Sequence, residues 1–260
     1  MSKYIDAAKW IAEQHENCND FTNFSEMFEL DDWDDIYKVQ DALELVWQPS
    51  RGKVAGYKLA LTSKPIQELF GVDTPMKGNI FAESILFEGQ KIKLKNYVHL
   101  GVEFELAVEI GEDFDPNGLD LDEENCLRKI SAVFPAFELI DDRNADYSTV
   151  DLKSGTADNS WNANNVLGKK CADFDNINFS NNSVSKSING TVEHSHTGAA
   201  LGSPINSVIW IAKFLAARGK ILRAGQIIMT GSTFATYFPK KGDTISYLVN
   251  GIGSVSLEVD

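Results

Sequence analysis

Cysteine is scarce in this 260-residue chain: Cys18, Cys126 and Cys171 stand far apart, are odd in number and form no Cys-x-x-Cys pair. Neither a disulfide framework nor a thiolate zinc site is indicated, and the three read as reduced thiols. Positive charge is also in short supply, with 24 Lys and Arg against 38 Asp and Glu and a net charge of −14. Without a Lys/Arg cluster such a chain repels nucleic-acid phosphates, so no nucleic-acid partner is expected. No apolar run approaches the roughly 20 residues that cross a bilayer. The N-terminal residues lack the apolar core of a signal peptide, so the expectation is a cytoplasmic protein with no membrane partner. Missing too are a Gly-rich phosphate loop, a Gly-x-Ser-x-Gly nucleophile motif and any repeat period. Of the four histidines, His194 and His196 have a spacing that can bind zinc, but Glu193-His-Ser-His-Thr197 reads as the polar side of a hairpin strand.

What the chain does have is a hydrophobic fraction of 43%, ample for a packed core. Apolar spacing from Tyr4 to about Trp47 is helical, interrupted by a polar loop over Glu16 to Asp31, with Asp31 or Asp32 placed to cap the next helix. Val54 to Leu61 reads as a strand, and Thr62-Ser-Lys-Pro65 as the start of a short helix through Phe70. From Gly78 onward short apolar stretches alternate with Gly, Asn and Asp, and Asn189-Gly190 and Asn250-Gly251 signal type I′ hairpin turns. One clear helix interrupts them, from about Pro204 to Arg218, with Ser203 as its cap. This order predicts an α+β fold, with a mostly antiparallel or mixed sheet core, an N-terminal helical segment and one late helix. The change of character divides the chain into an N-terminal helical and strand segment, 1–77, and a β-rich catalytic segment, 78–260.

Two acidic strands stand out. In Gly101-Val-Glu-Phe-Glu-Leu-Ala-Val-Glu-Ile110, strand alternation puts Val102, Phe104, Leu106, Val108 and Ile110 on one face and Glu103, Glu105 and Ala107 on the other. Alternation alone equally describes a half-exposed strand with its acids in water. Glu138, inside Phe134-Pro-Ala-Phe-Glu-Leu-Ile140, is harder to place there, because an ionised carboxylate among large apolar neighbours needs a partner or a metal. Carboxylate oxygens are the ligands that Mg²⁺, Mn²⁺ and Ca²⁺ prefer.

Seven blocks share an order and spacing: Gly56-Tyr-Lys-Leu-Ala-Leu-Thr-Ser63, Gly71-Val-Asp-Thr-Pro75, Val102-Glu-Phe-Glu-Leu-Ala107, Phe137-Glu-Leu-Ile-Asp-Asp-Arg143, Ala157-Asp-Asn159, Gly198-Ala-Ala-Leu-Gly202 and Leu222-Arg-Ala-Gly-Gln-Ile-Ile-Met-Thr-Gly-Ser232. Together they resemble the 2-keto-4-pentenoate hydratase and 2-oxo-3-hexenedioate decarboxylase group of the fumarylacetoacetate hydrolase superfamily. The resemblance implies that superfamily's fold and a homo-oligomer. It also implies Mg²⁺ or Mn²⁺ held by Glu103, Glu105 and Glu138. Lys58 falls on the family's active-site lysine. Asp158 and Asn159 match an Asp-Asn pair beside the site, and Asp158 is the weaker catalytic candidate, orienting Lys58 or water. Asp73, Lys77, Asn159 and Ser232 are the expected substrate contacts.

The implied substrate is a 2-hydroxy-2,4-dienoate or 2-oxo acid, and the implied reaction is hydration in aromatic-compound degradation. The alternatives are 2-oxo-3-hexenedioate decarboxylation, acylpyruvate carbon–carbon hydrolysis with His99 as the nearest base, and a non-catalytic assembly subunit. Two departures bear on substrate choice: Met76-Lys77-Gly78 replaces an acidic or tyrosyl residue before the glycine, and Trp161 follows the Asp-Asn pair. A Lys77 directed into the pocket would meet a distal carboxylate and favour the decarboxylase.

Overall fold

The N-terminal layer is a helical pair, α1 (Ser2–Glu16) and α2 (Trp33–Arg51). Asp32 starts α2 by accepting the Asp35 N–H at 2.8 Å, and Asp34 and Asp35 lie in the first turn, where negative charge offsets the helix dipole. Helix α2 continues through Pro49 to Arg51, beyond the expected end near Trp47. Ile36, Val39, Leu43 and Trp47 pack with Ala8, Ile11 and Phe24 into an apolar cluster that also takes in Phe81, Ala145 and Ala157. A computed structural model describes residues 2–114 and 121–260.

Beyond this layer come β1 (Val54–Ala60), α3 (Lys64–Phe70), β2 (Met76–Phe81), β3 (Ile85–Phe87), β4 (Lys91–Ile92) and β5 (Leu100–Ile110). The chain continues with α4 (Glu123–Leu127), β6 (Ile130–Asp141), α5 (Leu152–Ala157), β7 (Asn162–Leu167), β8 (Ser183–Ile188) and β9 (Thr191–His196). It closes with α6 (Pro204–Ala216), β10 (Ile227–Met229), β11 (Thr244–Val249) and β12 (Gly253–Val259). A seven-stranded sheet runs β2-β1-β10-β5-β6-β7-β3, and a five-stranded sheet runs β4-β12-β11-β8-β9. Most pairs are antiparallel, with β1–β10, β3–β7 and β4–β12 parallel. The mixed α+β architecture is the expected one. A boundary drawn between 77 and 78 passes through β2, and β1 hydrogen-bonds β10 near the other end of the chain, so one sheet spans both segments.

The main core lies on the face of β5 that carries Val102, Phe104, Leu106, Val108 and Ile110, which meet Tyr247, Val255 and Leu257 of the second sheet and Ile205, Val208 and Leu215 of α6. Ser203 caps α6 by accepting the Ile205 N–H. The other face of the large sheet carries small or aliphatic residues, among them Ala107, Ala132, Ala136 and Met229. That same face carries the glutamates. Three short elements carry no readable periodicity and went unforeseen: α4, α5 and β3 are each under seven residues long. The hairpin expectation for His194 and His196 holds, since both lie in β9, paired with β8. Among the described residues no helix is long and apolar enough to cross a membrane.

Candidate metal centre

Register explains why the three glutamates meet. In the antiparallel β5–β6 pair Glu103 stands directly opposite Glu138 and Glu105 opposite Ala136, so all three side chains leave the same face of the sheet. One oxygen from each lies within 4.8 Å of the others. Glu105 and Glu138 are fully buried, so the reading of a solvent-facing strand fails at these two positions. Each carboxylate accepts one hydrogen bond from a neighbouring segment. Thr236 Oγ1 donates to Glu103 Oε1 at 2.7 Å, Gly231 N donates to Glu105 Oε2 at 2.8 Å, and Asn162 Nδ2 donates to Glu138 Oε1 at 2.9 Å.

The remaining oxygens, Glu105 Oε1 and Glu138 Oε2, are buried without a hydrogen-bond partner. Unpaired buried carboxylate oxygens are costly, and their cost appears in the acidities. Burial first, then Glu138 and Glu103, push the Glu105 carboxyl well above its usual range. Glu138 is raised to about 7, by burial above all and against the pull of Lys58. Three converging carboxylates, two of them buried with free lone pairs, fit a divalent oxygen-seeking cation, and among the described residues no other cluster of three such groups does.

Lys58 arrives from β1. Its register partners Met229 and Gly78 place it on the glutamate face, and its Nζ lies 3.1 Å from Glu138 Oε1 and donates to the Ser160 carbonyl at 3.2 Å. Burial lowers its pKa, but the charges of Glu138, Glu103 and Glu105 outweigh burial and leave it raised. Gly78 makes this possible: a Cβ there would sit 2.6 Å from the Asn159 carbonyl oxygen and 3.0 Å from the Lys58 stem. Gly231, at φ +106°, likewise lets its N–H reach Glu105 where a Cβ would strike Thr62 at 2.3 Å.

The Asp-Asn pair lies in the turn that leads to the Ser160 carbonyl. Asp158 is fully buried, with Oδ1 2.6 Å from His15 Nε2 and Oδ2 accepting from Arg143 Nη2 at 2.5 Å. Although burial opposes it, His15 and Arg143 hold its carboxyl below the usual range. Asn159, Ser160 and Trp161 then run consecutively through the left-handed region, at φ 55°, 49° and 59°. Such a run stores strain, on the order of 1–3 kcal/mol per residue. Two bonds between the Asn159 side chain and the Asn79 backbone, at 2.6 and 2.9 Å, hold it. Its product is the Ser160 carbonyl aimed at Lys58.

A cavity of about 580 Å³ opens beside the cluster, with Lys58, Glu103, Ser232 and Thr236 in its wall. Ser232 Oγ accepts from Phe104 N at 3.0 Å and donates to the Phe234 carbonyl at 2.8 Å. Lys77 and Asp73 are not brought there. Lys77 pairs with Leu59 in the β1–β2 ladder and so leaves the opposite face from Lys58, while Asp73 is exposed outside the cavity lining. Thr236, Asn162 and Ser160 escaped the sequence reading, since their partners are 133, 24 and 102 residues away and no local motif marks them.

Lys77 is instead buried away from the cavity. Its Nζ donates to Asn79 Oδ1 at 2.7 Å and lies 5.5 Å from the Tyr57 ring centroid and 5.9 Å from that of Tyr37. Burial lowers its pKa to about 7, far below the 10.5 of an unfolded lysine. The unfolded chain therefore binds the extra proton between those values, and stability falls as pH drops from about 10.5 to about 7, then levels off. Lys77→Met should remove that slope and stabilise the protein at pH 7 by on the order of 2 kcal/mol, after the lost bond to Asn79 is subtracted. Calorimetry across that range should show a rise in Tm of about 5 °C at pH 7.

Residues 55–260 match the family description "Fumarylacetoacetate (FAA) hydrolase C-terminal". The chain is 31% identical over 229 residues to a 2-keto-4-pentenoate hydratase of Paraburkholderia xenovorans, covering 87% of this chain and 84% of that protein. It is 28% identical over 258 residues to a 4-oxalocrotonate decarboxylase of Pseudomonas putida, covering 98% and 94%. Among solved structures, the 4-oxalocrotonate decarboxylase of Pseudomonas putida G7, complexed with magnesium and adipate, superposes with a TM-score of 0.91 at 27% identity, covering 100% of this chain and 98% of that one. With the matched segment holding both glutamate strands, Lys58 and the Gly231 turn, the chain belongs to the fumarylacetoacetate hydrolase family.

Proposed function

We propose that this protein is a divalent-metal-dependent hydratase that adds water to a 2-hydroxy-2,4-dienoate, with Glu103, Glu105 and Glu138 holding Mg²⁺ or Mn²⁺. The observation that carries the reading is a trio of converging carboxylates, two of them buried with unpaired oxygens, beside a cavity whose wall contains Glu103 and Lys58. The bound ion would supply Lewis-acid charge stabilisation and a template for the 2-oxo-acid head. The protein's own residues do the rest. Lys58, kept charged by its carboxylate neighbours, holds the negative oxygen of the head and is the nearest ammonium donor for a proton. Ser160 fixes the direction of that ammonium through its carbonyl. Asp158 and Asn159 are positioning residues acting through that turn. The Ser232 hydroxyl, already committed to Phe104 and Phe234, bounds the cavity beside the strand that carries Glu103.

Decarboxylation of a 2-oxo-3-hexenedioate is the second reading, favoured by end-to-end similarity to a protein of that activity. A second cation is the strongest partner for the distal carboxylate of a dicarboxylate. Lys58 is the one cation in the cavity wall among the described residues, and Lys77 leaves the other face of the sheet. That favours hydration. Purified protein with Mg²⁺ should consume 2-hydroxypenta-2,4-dienoate, seen as loss of dienoate absorbance, without releasing CO₂. Faster release of CO₂ from 2-oxo-3-hexenedioate would replace the hydratase assignment with the decarboxylase.

A further inference from the structure

The cavity is far larger and far more apolar than a five-carbon acid requires. At about 580 Å³ it falls within the roughly 300–1,000 Å³ that encloses a drug-sized ligand. Its two charged groups are Lys58 and Glu103, whereas α3 contributes Ile66 and Leu69 and the Tyr147–Leu152 segment contributes Tyr147, Val150 and Leu152. Three of these are conspicuously unburied: Ile66 is 40% exposed, Leu69 73% and Tyr147 47%. Large apolar side chains left in water around a concave wall mark a surface that a ligand covers. The Tyr147 ring is braced edge-on against Trp161, with centroids 5.7 Å apart, so it forms a fixed wall instead of filling the space.

We infer that the substrate carries an extended apolar tail on the carbon far from its 2-oxo-acid head, seated between Ile66 and Leu69 of α3 and the Tyr147–Leu152 segment. The inference rests on the 2-oxo-acid reading of the head and adds the class of substituent. An alkyl or aryl tail gains burial there at each added carbon. A charged tail loses hydration without gaining a partner, since the wall near Ile66, Leu69, Tyr147, Val150 and Leu152 is without a cation among the described residues. The aromatic brace that Trp161 gives Tyr147 belongs to the same device.

The test uses unreactive saturated 2-oxo acids on the full-length protein loaded with Mg²⁺, read by calorimetry. From 2-oxobutanoate through 2-oxohexanoate to 2-oxooctanoate, Kd should fall about three- to fourfold per methylene, the factor set by burying one methylene group. The dicarboxylate 2-oxoadipate should bind more weakly than 2-oxohexanoate. Leu69→Asn, at an exposed position that the fold does not depend on, should at least halve the gain per methylene. A flat series, or tighter binding of 2-oxoadipate, overturns the apolar tail. Turnover of 2-hydroxypenta-2,4-dienoate in parallel keeps the two readings apart. Turnover with a flat series removes the tail and keeps the hydratase. A graded series with no turnover of any dienoate removes the hydratase and keeps the tail.

Discussion

Glu105→Gln should abolish turnover while making the metal-free protein more stable. The substitution keeps the shape of a fully buried side chain and the bond from Gly231 to its carbonyl oxygen, but it removes one negative charge from a crowded cluster. Loss of one of three carboxylate ligands should lower kcat/KM on the order of 10³-fold or more. Stability moves the other way, because Glu105 and Glu138 both have carboxyls raised by burial above the 4.5 of the unfolded chain. A raised carboxyl contributes stability that is complete below the unfolded value and lost as pH rises through the folded value. For the metal-free wild type that window runs from about 4.5 up through about 7, where Glu138 titrates. The variant should show a shallower loss over that window and a Tm several degrees higher at pH 8. Saturating Mg²⁺ should raise the wild-type Tm by several degrees and leave the variant unmoved. A variant destabilised at pH 8 would mean that Glu105 is a structural hydrogen-bonding residue.

Lys58→Met should separate binding of the metal from use of it. The methionine fills nearly the same volume against Gly78, so β1 and its pairing with β10 should persist. Turnover should fall on the order of 10²–10⁴-fold, the range expected when a positioned proton donor or charge partner is lost. Divalent binding should tighten several-fold, since the ammonium 3.1 Å from Glu138 no longer competes for the carboxylates. Calorimetric titration of Mn²⁺ into the two proteins gives the comparison. Weaker metal binding in the variant would make Lys58 a support for the cluster and not its competitor.

The parts of this molecule that were legible in the chain are those where local pattern and tertiary demand agree. The β5 alternation delivered both the core face and the acidic face, and Glu138, stranded among apolar neighbours, pointed to the partner strand. Asn189-Gly190 folds as the expected turn between β8 and β9, with both residues at positive φ. Ser203 capped its helix as read. What stayed hidden depends on register or on strain. The side of β2 to which Lys77 turns follows from its pairing with Leu59, a matter of one residue of slip. The left-handed run at Asn159–Trp161 uses no glycine and is held by Asn79, eighty positions earlier, so nothing local announces it. The resemblance marked Asp158 and Asn159; in the structure both lie in the turn that carries the Ser160 carbonyl to within 3.2 Å of Lys58 Nζ.

One divalent ion should sit among Glu103, Glu105 and Glu138. Anomalous diffraction from crystals grown with Mn²⁺ tests it most directly. The expected result is a single strong anomalous peak per chain, coordinated by one oxygen from each glutamate, with Lys58 Nζ close by but not ligated, and absent from Glu105→Gln crystals grown alike. Manganese bound elsewhere, or a persistent peak at the cluster in the variant, would contradict it.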